Sequence, residues 1–250
     1  MLEKWEKSVF STDAVDGKPL AHDVYSHGAG PVILIIQELP GIGVETKRLA
    51  DDLVAAGFRV VLPHLFGPIG RLSFAGNIAR LFCMRREFAL FAKHKTSPVV
   101  KWLSALAAEV RAENKAQGIG VIGMCLSGNF AISMMADDAV LAGVASQPSL
   151  PVLFNKSLHM SEADIADIRT ALDEKGAMIA MRFQGDKICT ASKFEALDAA
   201  FNGDKERIKL RQLPGKQHSI LTGHFSDKAG APTAAALEEV IGYFHEKLGG

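Results

Sequence analysis

The 250-residue sequence has little cysteine, tyrosine or tryptophan and no charge imbalance, and each scarcity excludes something. Cys83, Cys125 and Cys189 are odd in number and scattered, so they suit neither a disulfide framework nor the paired spacing of a zinc site. The 28 Lys and Arg are balanced by 28 Asp and Glu, which leaves no basic excess to suggest a nucleic-acid partner. A chain that is 48% hydrophobic with a net charge of +0 is not the composition of a disordered protein. The start, Met1-Leu2-Glu3-Lys4-Trp5-Glu6-Lys7, lacks the apolar core of a signal peptide. Apolar runs such as Val32–Ile36 have the length of a strand, far from the roughly 18 residues that suggest a membrane-spanning helix. No membrane association and a reducing cytoplasmic location are therefore expected. Nothing in the sequence speaks to oligomeric state.

What is present is an alternation of strand and helix signals. Ser8–Phe10 and Ala21–Tyr25 flank a hairpin turn at Asp16-Gly17. A continuous apolar strand follows at Pro31–Gln37, then a helical spacing at Leu49, Leu53, Val54 and Ala56 that Gly57 terminates. Phe58–Leu62 reads as a strand stopped by Pro63, and Pro98 opens a long helix to about Lys115. Strands at Gly118–Gly123, Val140–Ser146, Ala177–Phe183 and Arg207–Leu213 then alternate with helices from Leu126, at Ala163–Glu174, at Ser192–Phe201 and at Thr233–Leu248. This order predicts a mostly parallel sheet covered by helices on both faces, with an N-terminal antiparallel hairpin at one edge. One α/β domain over residues 1–250 is expected. An irregular, Phe- and Arg-rich insertion at about 63–96 would lie over the sheet edge where such folds bind ligands.

The stretch Gly123-Met124-Cys125-Leu126-Ser127-Gly128 carries the chemistry. A strand ends and a helix starts within about three residues, so the residue between them sits on a strained turn and projects its side chain from the sheet edge. Small residues two before and two after, Gly123 and Ser127, allow that turn around Cys125. A helix N-terminus favours a thiolate, and the Leu126 N–H can donate to an oxyanion. A second donor is expected from the Leu39 N–H. A small buried cysteine in a helix-start turn is the structural alternative, and Ser127 is the rival nucleophile.

A cysteine nucleophile needs a histidine base and usually a carboxylate that orients it. Gly185-Asp186 follows the penultimate strand and His218 follows the last, in the chain order nucleophile, acid, histidine. An aspartate that only bonds its own turn is the competing use of Asp186, and His224 is the competing base.

Together, Gln37-Glu38-Leu39-Pro40-Gly41-Ile42, the Cys125 motif, Gly185-Asp186 and His218-Ser219 resemble the dienelactone hydrolase family of α/β-hydrolases across most of the chain. The resemblance implies a Cys125–His218–Asp186 triad with no metal and no cofactor. It also implies that Glu38 governs the resting thiol and moves when substrate binds. Arg85 and Arg86 become candidates, by location, for holding a substrate carboxylate. Ser127 stands where the family usually has glycine, and the loop carrying Asp186 is shorter than the family's Gly-x-x-Asp form. The expected function is hydrolysis of small carboxylic esters or lactones. A thioesterase or acyltransferase on the same site, or a non-catalytic binding module on the same fold, are the alternatives.

Overall fold

A computed structural model describes residues 1–12, 19–38, 41–70, 98–149, 158 and 160–249. Its strands are β1 (Glu6–Thr12), β2 (Leu20–His27), β3 (Val32–Ile36), β4 (Arg59–His64), β5 (Ile119–Met124), β6 (Val140–Ser146), β7 (Met178–Phe183) and β8 (Ile208–Leu213). The helices are α1 (Val44–Ala55), α2 (Pro98–Glu113), α3 (Leu126–Met134), α4 (Glu162–Lys175), α5 (Ala191–Phe201) and α6 (Pro232–Leu248). The strands form one sheet in the order β1-β2-β4-β3-β5-β6-β7-β8. β1–β2 and β2–β4 pair antiparallel and every other pair is parallel. The Asp16-Gly17 turn of the hairpin lies outside the described residues.

Period-two alternation explains why the parallel strands read as continuous apolar runs. In β3, Val32, Leu34 and Ile36 pack on one face with residues of α2, α3, α4 and α5. Ile33 and Ile35 pack on the other with α1 and α6. Both faces are covered, so every position must be apolar. The helix ends follow local chemistry. Ser161 caps α4 in a reciprocal box with Asp164. Gly57, at φ 91°, takes the left-handed turn that sends the chain from α1 into β4.

Several element ends shift by one or two residues from the sequence reading, and one difference has a tertiary cause. Pro63 does not stop its strand: β4 continues to His64 and pairs with β2 through Val24–Pro63 and Asp23–His64. Pairing between β3 and β4 runs only from Arg59 to Val61 on the β4 side. At Pro63 the strand therefore has a neighbour on one side only, the position where a missing N–H is tolerated.

The helix α6 is seated by Phe244, which is fully buried. A Cβ at Gly120 in β5 would lie 2.6 Å from its ring, so glycine opens the strand surface to the aromatic side chain. Phe58 meets the same ring edge-on at 6.3 Å. Phe244→Ala should cost about 3–5 kcal/mol of folding free energy by leaving a cavity. The check is the chemical-denaturation midpoint, and an unchanged midpoint would contradict this packing.

Candidate active site

The parallel strands deliver their C-terminal ends to one edge, and the expected site residues follow those ends directly. Glu38 lies two residues after β3, Cys125 one after β5, Asp186 three after β7 and His218 five after β8. This is the edge at which open α/β sheets carry their sites.

Cys125 occupies the junction of β5 and α3 with φ 57° and ψ −120°. That conformation costs a non-glycine residue on the order of 1–3 kcal/mol and persists only where its surroundings over-determine it. Here they do. The Cys125 N–H donates to Ser146 O at 3.0 Å, and the Cys125 carbonyl accepts from Gly128 N at 3.1 Å and Ser149 N at 3.0 Å. A Cβ at Gly123 would stand 2.1 Å from Ser127 O, so the turn closes only over glycine. Ser127 is itself buried: its hydroxyl accepts from Met124 N at 2.9 Å and donates toward Ile36 O at 3.0 Å or Met124 O at 2.9 Å. Its hydrogen-bonding capacity is spent on fastening the turn to β3. Leu126 opens α3, where the first N–H groups have no partner inside the helix.

Asp186 and His218 are joined, with the imidazole Nδ1 donating to Oδ2 at 2.7 Å. The other carboxylate oxygen, Oδ1, accepts from Ile188 N at 2.8 Å and Cys189 N at 3.1 Å. Both uses weighed for this aspartate therefore coexist, one on each oxygen. The acid's loop is tied to the histidine's loop by Gln184 N–H to Leu213 O and Gly185 N–H to Gly215 O, each 2.8 Å. A Cβ at Gly185 would approach Lys216 Cγ to 2.8 Å and Gly215 O to 3.1 Å, so the absence of a side chain lets the two loops pack closely. His224, the competing base, is exposed, and its Nδ1 accepts from Ser219 N at 3.1 Å.

His218 Nε2 is buried and has no hydrogen-bond partner among the described residues. Burial disfavours the charged imidazole. The Asp186 carboxylate and the nearby Cys125 sulfur more than offset this and push the His218 pKa up to about 10.

Glu38 is 5% exposed. Ser219 Oγ donates to its Oε2 at 3.1 Å and Thr222 Oγ1 donates to its Oε1. Burial pushes this carboxyl up, against the pull of those two hydroxyls and of His218. Glu38 is thus attached to the loop that carries the histidine. Both of its carboxylate oxygens are engaged there, one by each hydroxyl. Leu39, Arg85 and Arg86 lie outside the described residues.

Sequence reading missed the groups that hold these loops. Arg182 is 2% exposed; it donates to Cys189 O at 2.8 Å, Gln184 O at 2.9 Å and Gln212 Oε1 at 2.8 Å, gathering the loop around Asp186. Gln147, at φ 40°, accepts from Ile220 N at 3.3 Å and links the end of β6 to the histidine loop. Ser149 Oγ lies 3.5 Å from Cys125 Sγ and donates to it. Gln147 and Ser149 share the run Ser146-Gln147-Pro148-Ser149 at the end of β6, and no spacing within it marks their distant partners.

The His218 pKa sets the sign of a pH effect. A folded-state value raised from 6.5 to about 10 gives stability that is complete below pH 6.5 and is lost as pH rises through about 10. The stability gap between the wild type and His218→Gln should therefore shrink between about pH 6 and about pH 11. Denaturant titrations at both pH values check this, and a gap that widens with pH would contradict it.

The family model of the dienelactone hydrolases matches residues 21–248. A search of curated protein sequences found no match. Among solved structures, a dienelactone hydrolase-like promiscuous phosphotriesterase from metagenomic libraries is similar, with TM-score 0.65, 16% identity and coverage of 96% of this chain and 98% of its own. A cold-adapted esterase from an Arctic intertidal metagenomic library has TM-score 0.65, 14% identity and 98% coverage of each chain. Dienelactone hydrolase from Anabaena variabilis has TM-score 0.61, 15% identity and coverage of 98% and 100%. At these identities the structural likeness shows the shared α/β-hydrolase fold. The match over residues 21–248 goes further: this chain belongs to the dienelactone hydrolase family and is a hydrolase.

Proposed function

We propose that the chain cleaves small carboxylic esters or lactones through Cys125, His218 and Asp186, by way of an acyl-thioester. The observation that carries this reading is the state of His218. Its Nδ1 is bonded to Asp186 at 2.7 Å, while its buried Nε2 has no hydrogen-bond partner among the described residues and the Cys125 sulfur acts on the ring. Asp186 holds the ring so that Nε2 is the nitrogen free to take a proton, and its charge stabilises the imidazolium that results.

In acylation the Cys125 thiol proton moves to His218 Nε2 and the sulfur attacks the carbonyl carbon. The oxyanion is received by the Leu126 N–H at the head of α3 and by the Leu39 N–H. The tetrahedral intermediate collapses, the ester C–O bond breaks and His218 returns the proton to the leaving oxygen. Water then gives a proton to His218 and attacks the thioester, releasing acid and restoring the thiol. Arg85 and Arg86 are proposed to hold a carboxylate on the substrate through paired guanidinium hydrogen bonds. Glu38 is proposed, on the family resemblance, to restrain the resting thiol, since its carboxyl when ionised would disfavour a neighbouring thiolate. Its hydroxyl partners on the histidine loop offer a route by which substrate could draw it aside.

Cys125→Ala should lower kcat for p-nitrophenyl acetate by about a thousandfold or more without unfolding the protein, and Asp186→Asn should lower it by a comparable factor. Steady-state kinetics beside a melting curve check both. An active Cys125→Ala with an inactive Ser127→Ala would overturn the assignment. For the role of Glu38, Glu38→Gln should react faster with iodoacetamide at neutral pH while its kcat falls; unchanged labelling together with normal turnover would remove Glu38 from the mechanism.

A further inference from the structure

The segment after β6 does more than end a strand. Gln147 turns it with a positive φ of 40°, Pro148 follows, and Ser149 arrives beside the sulfur of Cys125. Its position is fixed from both ends of the residue. Ser149 N–H donates to Cys125 O at 3.0 Å, and Ser149 O accepts from Asn129 Nδ2 at 3.2 Å. Asn129 is fully buried on α3, and the same Nδ2 lies 3.2 Å from Leu126 O, so it spans from the helix start to Ser149. Pro148 is packed so closely on α3 that a Cβ at Gly128 would come within 2.9 Å of its Cα. Ser149 is 2% exposed, which leaves little room for water to compete for its hydroxyl. The remaining freedom is rotation of a hydroxyl whose oxygen sits 3.5 Å from Sγ.

We propose that Ser149 is a further catalytic residue, whose hydroxyl donates to the Cys125 sulfur and stabilises it as a thiolate. The proposal rests on the reading of Cys125 as the nucleophile. A neutral thiol sulfur is a weak acceptor, whereas a charged acceptor strengthens a hydrogen bond roughly twofold. The Ser149 contact therefore favours the state reached after the thiol proton has passed to His218 Nε2, which is the differential stabilisation that accelerates a step. As the S–C bond forms, the sulfur loses its charge and the contact weakens. As water displaces the sulfur and the C–S bond breaks, the electron pair returns to sulfur and the contact strengthens again. Ser149 keeps its own proton throughout, and no other reactant is needed. His218 supplies the charged partner of the thiolate and Ser149 a neutral one, so the sulfur is held by two groups from different loops.

The test measures iodoacetamide alkylation of Cys125 against pH, with p-nitrophenyl acetate turnover alongside, for the wild type, Ser149→Ala and Ser149→Thr. In Ser149→Ala the alkylation rate at about pH 7 should fall about tenfold, the lower end for a hydrogen bond to a charged group. The limiting rate at high pH should stay within about twofold, because a fully formed thiolate no longer depends on the donor. kcat should fall with little change in KM, and Ser149→Thr, which keeps the hydroxyl, should retain most of both rates. Ser149→Gly replaces the alanine variant if melting curves show that the latter does not fold. An alkylation profile that superimposes on wild type, or one lowered equally at every pH, overturns the proposal. Failure of the underlying reading looks different: fully alkylated wild type would still hydrolyse the ester, whatever Ser149 does to labelling.

Discussion

The site depends on one backbone constraint, the residence of Cys125 at φ 57° and ψ −120° between β5 and α3. A strand that runs straight into a helix can present a side chain clear of the sheet only through such a turn, and the surrounding fold must hold the strain. Three of the restraints are backbone hydrogen bonds to Ser146, Gly128 and Ser149, and two of those partners belong to the segment that ends β6. Strain at the cysteine and placement of Ser149 are therefore one feature. The hydrogen bonds that keep the turn bent also carry a hydroxyl to the sulfur.

Around that turn, the ionisable groups are arranged as a buried relay rather than as isolated charges. His218 is coupled to both Asp186 and the Cys125 sulfur, and these neighbours favour the charged imidazolium that forms when the thiol proton reaches it, in spite of burial. Glu38 answers burial in the other direction, toward the neutral acid, and is held by the hydroxyls of Ser219 and Thr222 rather than by a cation. Because Ser219 is the neighbour of His218 in the chain, its hydrogen bond ties Glu38 to the loop that carries the base. Arg182 serves the same assembly from below, as a buried cation satisfied by the carbonyls of the loop that bears Asp186.

The fold was legible in the sequence wherever periodicity was strong. The buried runs of β3 and β5 and the apolar spacing of α1 identified themselves, because a strand covered on both faces leaves no polar positions. Pro63 misled, since its tolerance depends on where β3 stops pairing, a fact of tertiary structure. Cys125, Asp186 and His218 could be read from strand ends and their small neighbours, Gly123 and Gly185. Both glycines answer to close approaches, Gly123 to Ser127 O and Gly185 to Lys216. Ser149, Arg182 and Gln147 could not be read in the same way. Their roles come from contacts 24, 30 and 73 positions away in the chain, and no local pattern records such a pairing.

The central claim is that an acyl group passes through the sulfur of Cys125. The most direct measurement is mass spectrometry of the whole protein quenched in acid during turnover of an activated ester, followed by peptide mapping. The account predicts one added acyl mass on the peptide that contains Cys125, removable by hydroxylamine and absent from Cys125→Ala. An acyl group on Ser127 or Ser149, or turnover with no covalent adduct on any peptide, would contradict it.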